Sequence, residues 1–309
     1  MNFLFATNDA FVPGLITELY SIAKNNPGPH RAYVMYEALS ARSTKQIEKA
    51  CKANDFQLKF SPIVNNPFGG AEFSSLPRYY SQSINRLLPQ NFVDSDVHKI
   101  LYLDTDIAVN GNLSSFYDLD ISDKALAAVS IRQDGQDGGP YDDYERGVYD
   151  LLKIKLPSGV NYFNSGVLLM NVDYFRGITI DFYRNVLKEI EDQIVFCDQD
   201  ILNAAFKTNA LRYVDRRYNC TFANNARLRK GEYQWVKKNV KILHFVVAKK
   251  PWQYGKYTNR LFHIYMHYYR LQNKPVSYLW KYGVWYCLKP FHFLAHCWRK
   301  GWSLILRKP

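Results

Sequence analysis

Short apolar runs alternate with amphipathic segments at the start of the chain. Asn2–Thr7, Arg31–Tyr36 and Gln57–Ser61 are apolar runs of strand length, whereas Pro13–Asn26 and Thr44–Asn54 repeat apolar residues with helical spacing. Thr44 is the expected N-cap of the second helix. This β-α-β-α-β order predicts an α/β fold with a mainly parallel sheet, whose ligands bind at the carboxyl ends of the strands.

The same patterns continue along the chain. They predict helices at Ser74–Leu88, Asp181–Asp192 and Asp198–Lys207, and strands at Ile100–Leu103, Leu126–Ile131, Tyr162–Asn171 and Val240–Phe245. Asp134–Tyr144 is rich in Gly, Asp and Tyr, so it is expected to be a mobile surface loop and a candidate lid.

Two carboxylates, Asp104 and Asp106, end the buried-type strand at Ile100–Leu103. Residues two apart on a strand point the same way, so the pair is expected on one face. Two negative charges so near each other are tolerated when a divalent cation or a shared proton offsets them. Hard oxygen ligands suit Mg²⁺ or Mn²⁺, and an acidic turn after an edge strand is the alternative.

Other polar residues also fall at element ends. Asp198, Gln199 and Asp200 begin a predicted helix, where an N-cap and dipole role competes with catalysis. His244 ends an apolar strand shortly before Lys249 and Lys250, so it is either a core histidine or a metal ligand beside a phosphate-binding cation. The pairs His263/His267 and His292/His296 lack nearby carboxylates and are interpreted as amphipathic surface.

Charge is unevenly distributed over the 309 residues, of which 47% are hydrophobic and which carry a net charge of +12. Residues 1–232 hold 25 basic and 28 acidic residues, a net −3, and the other 15 Lys and Arg follow Glu232, the last acid. Five cysteines without a CxxC pair indicate neither a zinc ribbon nor a disulfide framework, and favour a reducing compartment. No signal peptide and no apolar run of spanning length is recognised.

The segment from Lys274 onward mixes aromatic and aliphatic residues with Lys and Arg. Basic amphipathic helices with Trp and Tyr suit an anionic membrane surface, which we expect residues 275–309 to contact. Single-stranded nucleic acid or a basic helical subdomain are the alternatives.

Two other protein classes compete for the whole chain. A metal-dependent nucleotidyltransferase would share the sheet and the acidic pair, but no glycine-rich phosphate loop follows the first strand. A basic nucleic-acid-binding protein would spread its charge over the main domain, whereas residues 1–232 are net acidic, so no nucleic acid is expected as a partner.

Five motifs in order resemble family 8 of the retaining glycosyltransferases, most closely bacterial lipooligosaccharide and lipopolysaccharide galactosyl- or glucosyltransferases. They are the opening FAxxD, LYLDTDIAVNGNL at 101–113, YFNSGVLLMNVDYFR at 162–176, DQDILNAAF at 198–206 and HFxxxxKPW at 244–252. The resemblance implies a GT-A fold, which is a Rossmann-like nucleotide-diphospho-sugar transferase fold with a mixed, mainly parallel sheet flanked by helices, here followed by a C-terminal basic aromatic helical tail.

The resemblance also implies a ligand set. Asp104, Asp106 and His244 would hold Mn²⁺, or Mg²⁺, against the diphosphate of UDP-galactose or UDP-glucose, and Lys250 would pair with the same phosphates. The other donor-binding residues would be Ala6, Asn8, Asp9, Phe11, Thr105 and Asn164, with Phe11 near the uridine. Gln199 and Asp198 would be the catalytic residues, and the amide of Gln199 would lie beneath the anomeric carbon.

The chain departs from the family at three places. Ser81 stands where the family has an Arg, for which Arg78 or Arg86 could substitute; Val247 replaces a common glycine, and the Asp expected near Ile131 is absent. An amide is a poor nucleophile, so a front-face substitution is expected, with Asp198 or Asp200 as the covalent alternative.

These observations predict a UDP-sugar-dependent retaining hexosyltransferase that glycosylates a lipopolysaccharide, lipooligosaccharide or another cell-surface glycan or glycolipid. Residues 1–253 would form the catalytic domain and residues 254–309 a membrane-associating helical region. The expected location is cytoplasmic, peripheral on the inner face of the cytoplasmic membrane.

Overall fold

The computed structural model describes residues 1–64, 66–69, 83–131, 147–148, 150–213, 215–221, 228–246, 250–253 and 260–272. Strands in this part of the chain are β1 Asn2–Ala6, β2 His30–Tyr36, β3 Phe56–Pro62, β4 Lys99–Asp104, β5 Ile107–Val109, β6 Leu126–Ser130, β7 Phe163–Asn171, β8 Ala210–Tyr213, β9 Cys220–Thr221 and β10 Ile242–His244. Seven form a sheet in the order β3-β2-β1-β4-β7-β6-β8, and three form a second sheet in the order β5-β10-β9.

Helices cover the large sheet and join its strands. Those described are α1 Val12–Asn25, α2 Ala41–Ala53, α3 Ser114–Tyr117, α4 Val172–Arg176, α5 Ile180–Ile190, α6 Asp198–Ala205, α7 Lys230–Asn239 and α8 Phe262–Arg270. None of them combines the length and the apolar character that crossing a membrane requires.

The large sheet is mixed and mainly parallel, as the sequence predicts. β1 runs parallel to β2 and β4, and β2 runs parallel to β3, so the β-α-β-α-β opening is confirmed. β7 runs antiparallel to both β4 and β6, while β8 is parallel to β6. Because β7 is antiparallel to β4, its first residues lie at the same edge of the sheet as the end of β4.

β4 is buried on both faces. Ile100 and Tyr102 point into one hydrophobic cluster, and Leu101 and Leu103 point into the cluster on the opposite face. Burying a leucine side chain in this way stabilises a fold by roughly 1.5–3 kcal/mol. Burial on two sides explains why the strand is a continuous apolar run in the sequence rather than an alternating one.

The second sheet brings a distant part of the chain to the end of β4. β10 pairs antiparallel with β5, and His244 is opposite Ile107. The backbone N–H of Phe245 also donates to the carbonyl oxygen of Asp106 at 2.9 Å. The strand predicted at Val240–Phe245 therefore ends beside the acidic pair.

Helix α8 packs against α1. The hydroxyl of Tyr265 donates to Oγ1 of Thr17 at 2.9 Å, and that of Tyr268 donates to Oδ1 of Asn110 at 2.9 Å. His263 and His267 are exposed on the outer side of α8, which confirms the surface interpretation of this pair. The predicted end of the catalytic domain at residue 253 stays a prediction, since α8 lies beyond that residue and contacts α1.

One local prediction is wrong, and a second is modified in detail. Ser40, not Thr44, caps α2, because its hydroxyl accepts the N–H of Ser43 at 3.3 Å and the helix begins three residues earlier than Thr44. The described end of the helix predicted at Ser74–Leu88 is a 3₁₀ helix at Ser83–Leu87. Pro89 lacks the N–H that would continue an α-helix there.

Several predictions lie outside the described residues. They concern the loop at 134–144, the tail at 275–309, and the residues Arg78, Ser81, Val247, Lys249, Cys287, His292, His296 and Cys297. The cysteines within the described chain, Cys51, Cys197 and Cys220, are free and buried.

Candidate active site

Asp104 and Asp106 flank the turn that leaves β4. Asp104 is the last residue of β4, and Asp106 lies in the turn before β5. The expectation that strand alternation places both on one face is therefore wrong. A turn brings the two carboxylates together, and the intervening Thr105 is buried between them.

Asp104, Asp106 and His244 form a cluster of metal-ligand type. One ligand atom from each lies within 4.8 Å of the others. His244 Nε2 is 3.1 Å from Asp106 Oδ1 and 3.6 Å from Asp104 Oδ2. Two carboxylate oxygens and an imidazole nitrogen are a donor set that Mn²⁺ and Mg²⁺ accept.

Each carboxylate has one oxygen held by protein groups and the other turned toward His244. Asp104 Oδ1 accepts the hydroxyl of Tyr102 at 2.7 Å and lies 2.9 Å from Arg86 Nη2. Asp106 Oδ2 accepts the ammonium of Lys250 at 2.5 Å. The two remaining oxygens and His244 Nε2 converge, which is the arrangement that a cation between them requires.

Gly166 on β7 leaves room for this convergence. A Cβ added there would lie 2.2 Å from His244 Cε1 and 2.7 Å from Asp104 Oδ2, closer than any real contact. Gly166 is inside the YFNSG motif, so its small size is a requirement of the site rather than of the strand. The donor set and this fit both support a bound divalent metal.

Lys250 gives Asp106 a counter-charge in a buried place. Its ammonium also donates to the carbonyl oxygen of Phe245 at 3.0 Å. Burial would raise the pKa of Asp106, but the Lys250 and His244 side chains outweigh burial and hold that pKa below its ordinary value. Asp106 is therefore ionised at neutral pH, as a metal ligand must be.

Arg86 joins the acidic pair to the start of α6. Its Nη2 lies 2.9 Å from Asp104 Oδ1, its Nε lies 3.0 Å from Asp198 Oδ2, and its Nη1 donates to the carbonyl of Ser165 at 2.7 Å. Its guanidinium also lies over the ring of Tyr102, 4.3 Å from the centroid. Of the two substitutes that the sequence offers for the family's Arg, Arg86 is the one the structure describes in the site.

Asp198 is a buried carboxyl beside this arginine. Burial raises the pKa of Asp198 to about 6, although the Arg86 charge acts in the opposite direction. Carboxyls whose pKa approaches neutrality are candidates for a functional role. Asp198 therefore combines a cavity position, a charged partner and a shifted pKa.

Gln199 and Asp200 differ in the hydrogen bonds that their side chains make and in the part of the structure that they serve. Gln199 Oε1 accepts the side-chain amide of Asn164 and the N–H of Ser165, both at 2.9 Å. Asp200 Oδ1 accepts the hydroxyl of Tyr162 at 2.6 Å, and its Oδ2 accepts the N–H groups of residues 195 and 196 at 2.6 Å. Asp200 therefore stabilises the turn before α6, whereas Gln199 lines the cavity.

A cavity of about 140 Å³ opens between these elements. Its polar lining residues are Arg86, Asp104, Asp106, Asn164, Ser165, Asp198, Gln199 and His244. Its apolar lining residues are Ile131, Val148, Phe196 and Val246. Asn164, Asp198, Gln199 and the metal-type cluster thus meet at one site, with Lys250 paired to Asp106 behind it.

The predicted donor-binding residues Ala6, Asn8, Asp9 and Phe11 are not among the residues that line the cavity. Ala6 is paired with Asp104 across β1 and β4. Asp9 is exposed and accepts the N–H of Ser40 at 3.0 Å and its hydroxyl at 3.1 Å. Hydrogen bonds from Ser43 and from Ser40 lower the pKa of Asp9. Phe11 packs edge-on against Trp252 at 5.6 Å, and Asn8 holds the turn between β1 and α1 through the N–H of Ala10.

Sequence reasoning missed Asn219, Gly166 and the tyrosines Tyr102 and Tyr162. Tyr162 and Gly166 lie inside a recognised motif, so the signal was present. Asn219 follows a 3₁₀ helix at Arg216–Tyr218 and carries no sequence signal of its own.

Comparisons with known proteins agree on one family. Residues 2–256 match glycosyl transferase family 8. The chain is 29% identical over 176 residues to a lipopolysaccharide 1,3-galactosyltransferase of Salmonella typhimurium, covering 56% of this chain and 50% of that protein. It is 24% identical to the lipopolysaccharide glucosyltransferase WaaO of Escherichia coli, covering 82% of this chain and 72% of that protein.

The fold is similar to that of galactosyltransferase LgtC, whose structure was solved with donor and acceptor sugar analogs. The TM-score is 0.69 at 24% identity, covering 91% of this chain and 100% of that chain. This similarity, together with the mixed sheet, confirms the GT-A fold.

Proposed function

This chain belongs to glycosyltransferase family 8, and we propose that it moves galactose or glucose from a UDP-sugar to a glycan acceptor of lipopolysaccharide, lipooligosaccharide or another cell-surface glycan, with retention at the anomeric carbon. The similarity to two relatives, a galactosyltransferase and a glucosyltransferase of lipopolysaccharide, supports this substrate class. The observation that carries the proposal is the convergence of Asp104, Asp106 and His244 at the cavity that Asp198 and Gln199 line.

Mn²⁺, or Mg²⁺ in its place, would be held by Asp104 Oδ2, Asp106 Oδ1 and His244 Nε2. A bound divalent cation supplies Lewis-acid stabilisation of the negative charge that develops on a leaving diphosphate. Lys250 and Arg86 add cationic groups next to the same carboxylates, and they supply further counter-charge for phosphate oxygens. Ala6, Asn8, Asp9, Phe11 and Thr105 are proposed to face the uridine side of the donor.

The hydrogen bonds around Gln199 favour a front-face substitution. Both acceptor positions of its Oε1 are already occupied by Asn164 and Ser165, so that oxygen has no free lone pair with which to attack the sugar. Asp200 is equally engaged, with three donors on its two oxygens. Asp198 is the remaining candidate for a covalent route, and its pairing with Arg86 opposes that role.

In the proposed reaction, a hydroxyl oxygen of the acceptor forms a bond to the anomeric carbon while the bond from that carbon to the β-phosphate oxygen breaks. The hydroxyl proton passes to an oxygen of the departing diphosphate on the same face. Asn164, Asp198 and Gln199 would orient the donor sugar, and the apolar lining residues Ile131, Val148, Phe196 and Val246 would help to exclude water from the reacting centre.

A membrane location is proposed from the sequence. Residues 275–309, which lie outside the described structure, carry Lys and Arg among aromatic residues without any acid, and this composition suits the anionic inner face of a cytoplasmic membrane. A lipid-linked acceptor would be reached from there.

Turnover of UDP-galactose and UDP-glucose by an Asp104→Asn variant tests the function. We expect the metal-dependent release of UDP to fall by at least about 10²-fold, since the variant loses an anionic ligand. Asp118→Asn, which changes an exposed carboxylate after α3, is the matched control and should keep full activity. Unchanged turnover in Asp104→Asn would contradict the metal assignment, and absence of turnover in the parent protein with either donor would contradict the donor class.

A further inference from the structure

A chain of side-chain hydrogen bonds connects the metal-type cluster to Gln199. His244 Nδ1 lies 3.0 Å from Asn219 Oδ1, and Asn219 Nδ2 donates to Asn164 Oδ1 at 2.9 Å. Asn164 Nδ2 then donates to Gln199 Oε1 at 2.9 Å. The two halves of the site, metal ligands and donor-sugar residues, are therefore joined through one buried asparagine that the proposed reaction does not use.

Two backbone N–H groups of β7 fix the orientation of the side-chain amides in this series of hydrogen bonds. The N–H of Ser165 bonds Gln199, and the N–H of Gly166 bonds Asn164, both at 2.9 Å. A backbone N–H can only donate, so the atoms it meets must be the amide oxygens, Gln199 Oε1 and Asn164 Oδ1. The amide nitrogen of Asn164 is consequently the atom that faces Gln199.

The orientation of Asn164 also determines which nitrogen of His244 carries a proton. Because Asn164 Oδ1 is an acceptor, Asn219 must present its nitrogen there, and its oxygen must face His244. An amide oxygen can only accept, so His244 Nδ1 must carry the proton of this contact. In the neutral ring, Nε2 is then the unprotonated nitrogen, and its lone pair faces Asp104 and Asp106.

The alternative tautomer would disable the site. With the proton on Nε2, His244 would donate to Asp106 Oδ1 at 3.1 Å, and no lone pair would face a cation. Metal-binding histidines generally hold the correct tautomer by donating their other N–H to a carboxylate, a carbonyl or water. Here the acceptor is a side-chain amide.

The position of Asn219 suits this task. It is 3% exposed and lies between the 3₁₀ helix Arg216–Tyr218 and β9, which pairs with β10 next to His244. Its own N–H donates to the carbonyl of Arg216 at 3.1 Å, which fixes its backbone. Both ends of its side-chain amide are hydrogen-bonded, so it cannot rotate without leaving a buried polar atom unsatisfied.

We propose that Asn219 is a positioning residue that holds His244 as the Nδ1–H tautomer, with Nε2 ready for a divalent metal, and that it couples this ligand to the amide orientation of Gln199. The inference rests on the proposed function only in taking the Asp104, Asp106 and His244 cluster as a metal site.

The first test measures Mn²⁺ affinity of the full chain without donor, from the electron paramagnetic resonance signal of the free ion. Asn219→Ala should weaken Mn²⁺ binding about 10–100-fold. Asn219→Asp keeps an acceptor for His244 Nδ1–H and should restore most of the affinity, while it loses the donor to Asn164. A rescue of this kind would not follow if Asn219 acted only in folding.

Asn26→Ala is the matched control. Asn26 is also a buried asparagine, 2% exposed, whose side chain bonds the backbone of Ile22, Gly111 and Leu113, away from the cavity. Its loss should lower the melting temperature and leave Mn²⁺ affinity unchanged. Mn²⁺ affinity of Asn219→Ala within twofold of the parent would overturn the proposal.

The second test reads the tautomer in the unmodified protein. Long-range proton–nitrogen correlation spectra of the histidine-labelled chain, with the His244 signal identified by its loss in His244→Gln, should show the proton on Nδ1 and none on Nε2 when the ring is neutral. The opposite pattern would overturn the proposal without any variant of Asn219. A parent chain that binds no Mn²⁺ would instead contradict the proposed function, and this spectrum would still decide the tautomer.

Discussion

Two buried carboxyls of the site each lie beside a cationic side chain, yet their pKa values shift in opposite directions. Asp106 lies 2.5 Å from the Lys250 ammonium, and its pKa is held below the ordinary value despite burial. Burial raises the pKa of Asp198 to about 6, even though Arg86 is close. One group therefore stays ionised as a ligand, whereas the other can take up a proton just below neutral pH.

Glu18 on α1 is another buried acid, and it predicts a pH dependence of stability. Neither of its carboxyl oxygens has a hydrogen-bond partner within the described structure. Burial, with Asp106 and Asp104 nearby, raises its pKa well above the ordinary 4.5. Above pH 4.5 the native state thus keeps a proton that the unfolded state loses, and this group makes folding less favourable as pH rises.

Glu18→Gln replaces the titrating carboxyl by an amide, so it removes the contribution of this group to the pH dependence of stability. In EDTA, the melting temperature of the variant minus that of the parent should increase as the pH rises above 4.5. The slope is the readout, because a buried amide adds a cost that does not change with pH. A difference that is flat or falls over this range would show that Glu18 is not buried as described.

Gly166→Ala tests the close approach of β7 to the metal ligands. The added Cβ would lie 2.2 Å from His244 Cε1, so His244 or Asp104 must move. We expect Mn²⁺ affinity to fall at least about tenfold, comparable with the loss of a group that orients a ligand. Gly177→Ala, whose Cβ would meet only Tyr174 O at 3.5 Å, should bind Mn²⁺ like the parent. Equal affinities in the two variants would contradict the described site.

At the scale of elements, helix α1 lies directly against the turn that carries the proposed metal ligands Asp104 and Asp106. A Cβ at Gly14 would be 2.2 Å from the carbonyl oxygen of Thr105 and 2.7 Å from the ring of Trp252. The glycine inside this helix is therefore a contact requirement, and α1 supports the turn between Asp104 and Asp106.

Gly14→Ala should destabilise the protein although alanine favours helix. Overpacking of this kind typically costs about 1–3 kcal/mol, which exceeds the gain of about 1 kcal/mol in helix propensity. Gly231→Ala on α7, where nothing lies within 4 Å, should be neutral or slightly stabilising. Urea unfolding of both variants measures the difference, and a stabilised Gly14→Ala would show that α1 does not touch the turn.

The sequence predicted elements best where burial was simple. The apolar run of β4 is packed on both faces, so its pattern alone was sufficient. β10 was predicted from the apolar run at 240–245, but the three-stranded sheet that it forms could not be, because β5 and β9 have only three and two residues, carry no periodic signal and exist through tertiary pairing. The same applies to Asn219, whose role depends on contacts with residues 55 and 25 positions away along the chain.

The chemical type of the candidate site was predictable from the sequence, but the hydrogen-bond partners of its residues were not. Acidic residues at a strand end and a histidine at another indicated a metal site, and the motif resemblance supplied the family. The engagement of Gln199 Oε1 and Asp200 was not predictable, since hydrogen-bond partners such as Tyr162 and Ser165 are set by how β7 meets α6.

For the whole molecule, the uneven charge separates a net acidic part from a basic end. Residues 1–232 carry a net −3, and no acid follows Glu232. A chain ending at Gln272 keeps α8 and its contacts with α1, so we expect it to fold and to turn over donor. It should lose binding to vesicles that contain anionic lipid, which a sedimentation assay measures. If the shortened chain still binds the vesicles, the tail is not the membrane contact. If the shortened chain does not fold, the tail is part of the folded structure.

The central claim is that a divalent metal at Asp104, Asp106 and His244 holds a uridine diphosphate donor. Its most direct test is the melting temperature of the full chain with UDP, GDP, UDP-galactose and UDP-glucose, each with Mn²⁺ and with EDTA. A ligand at 100 times its Kd stabilises the native state by about 2.7 kcal/mol, so UDP ligands with Mn²⁺ should raise the melting temperature by several degrees. EDTA or Asp104→Asn should abolish that rise, and GDP should give less. A UDP-induced rise that persists in EDTA, or no rise with any of the four, would contradict the account.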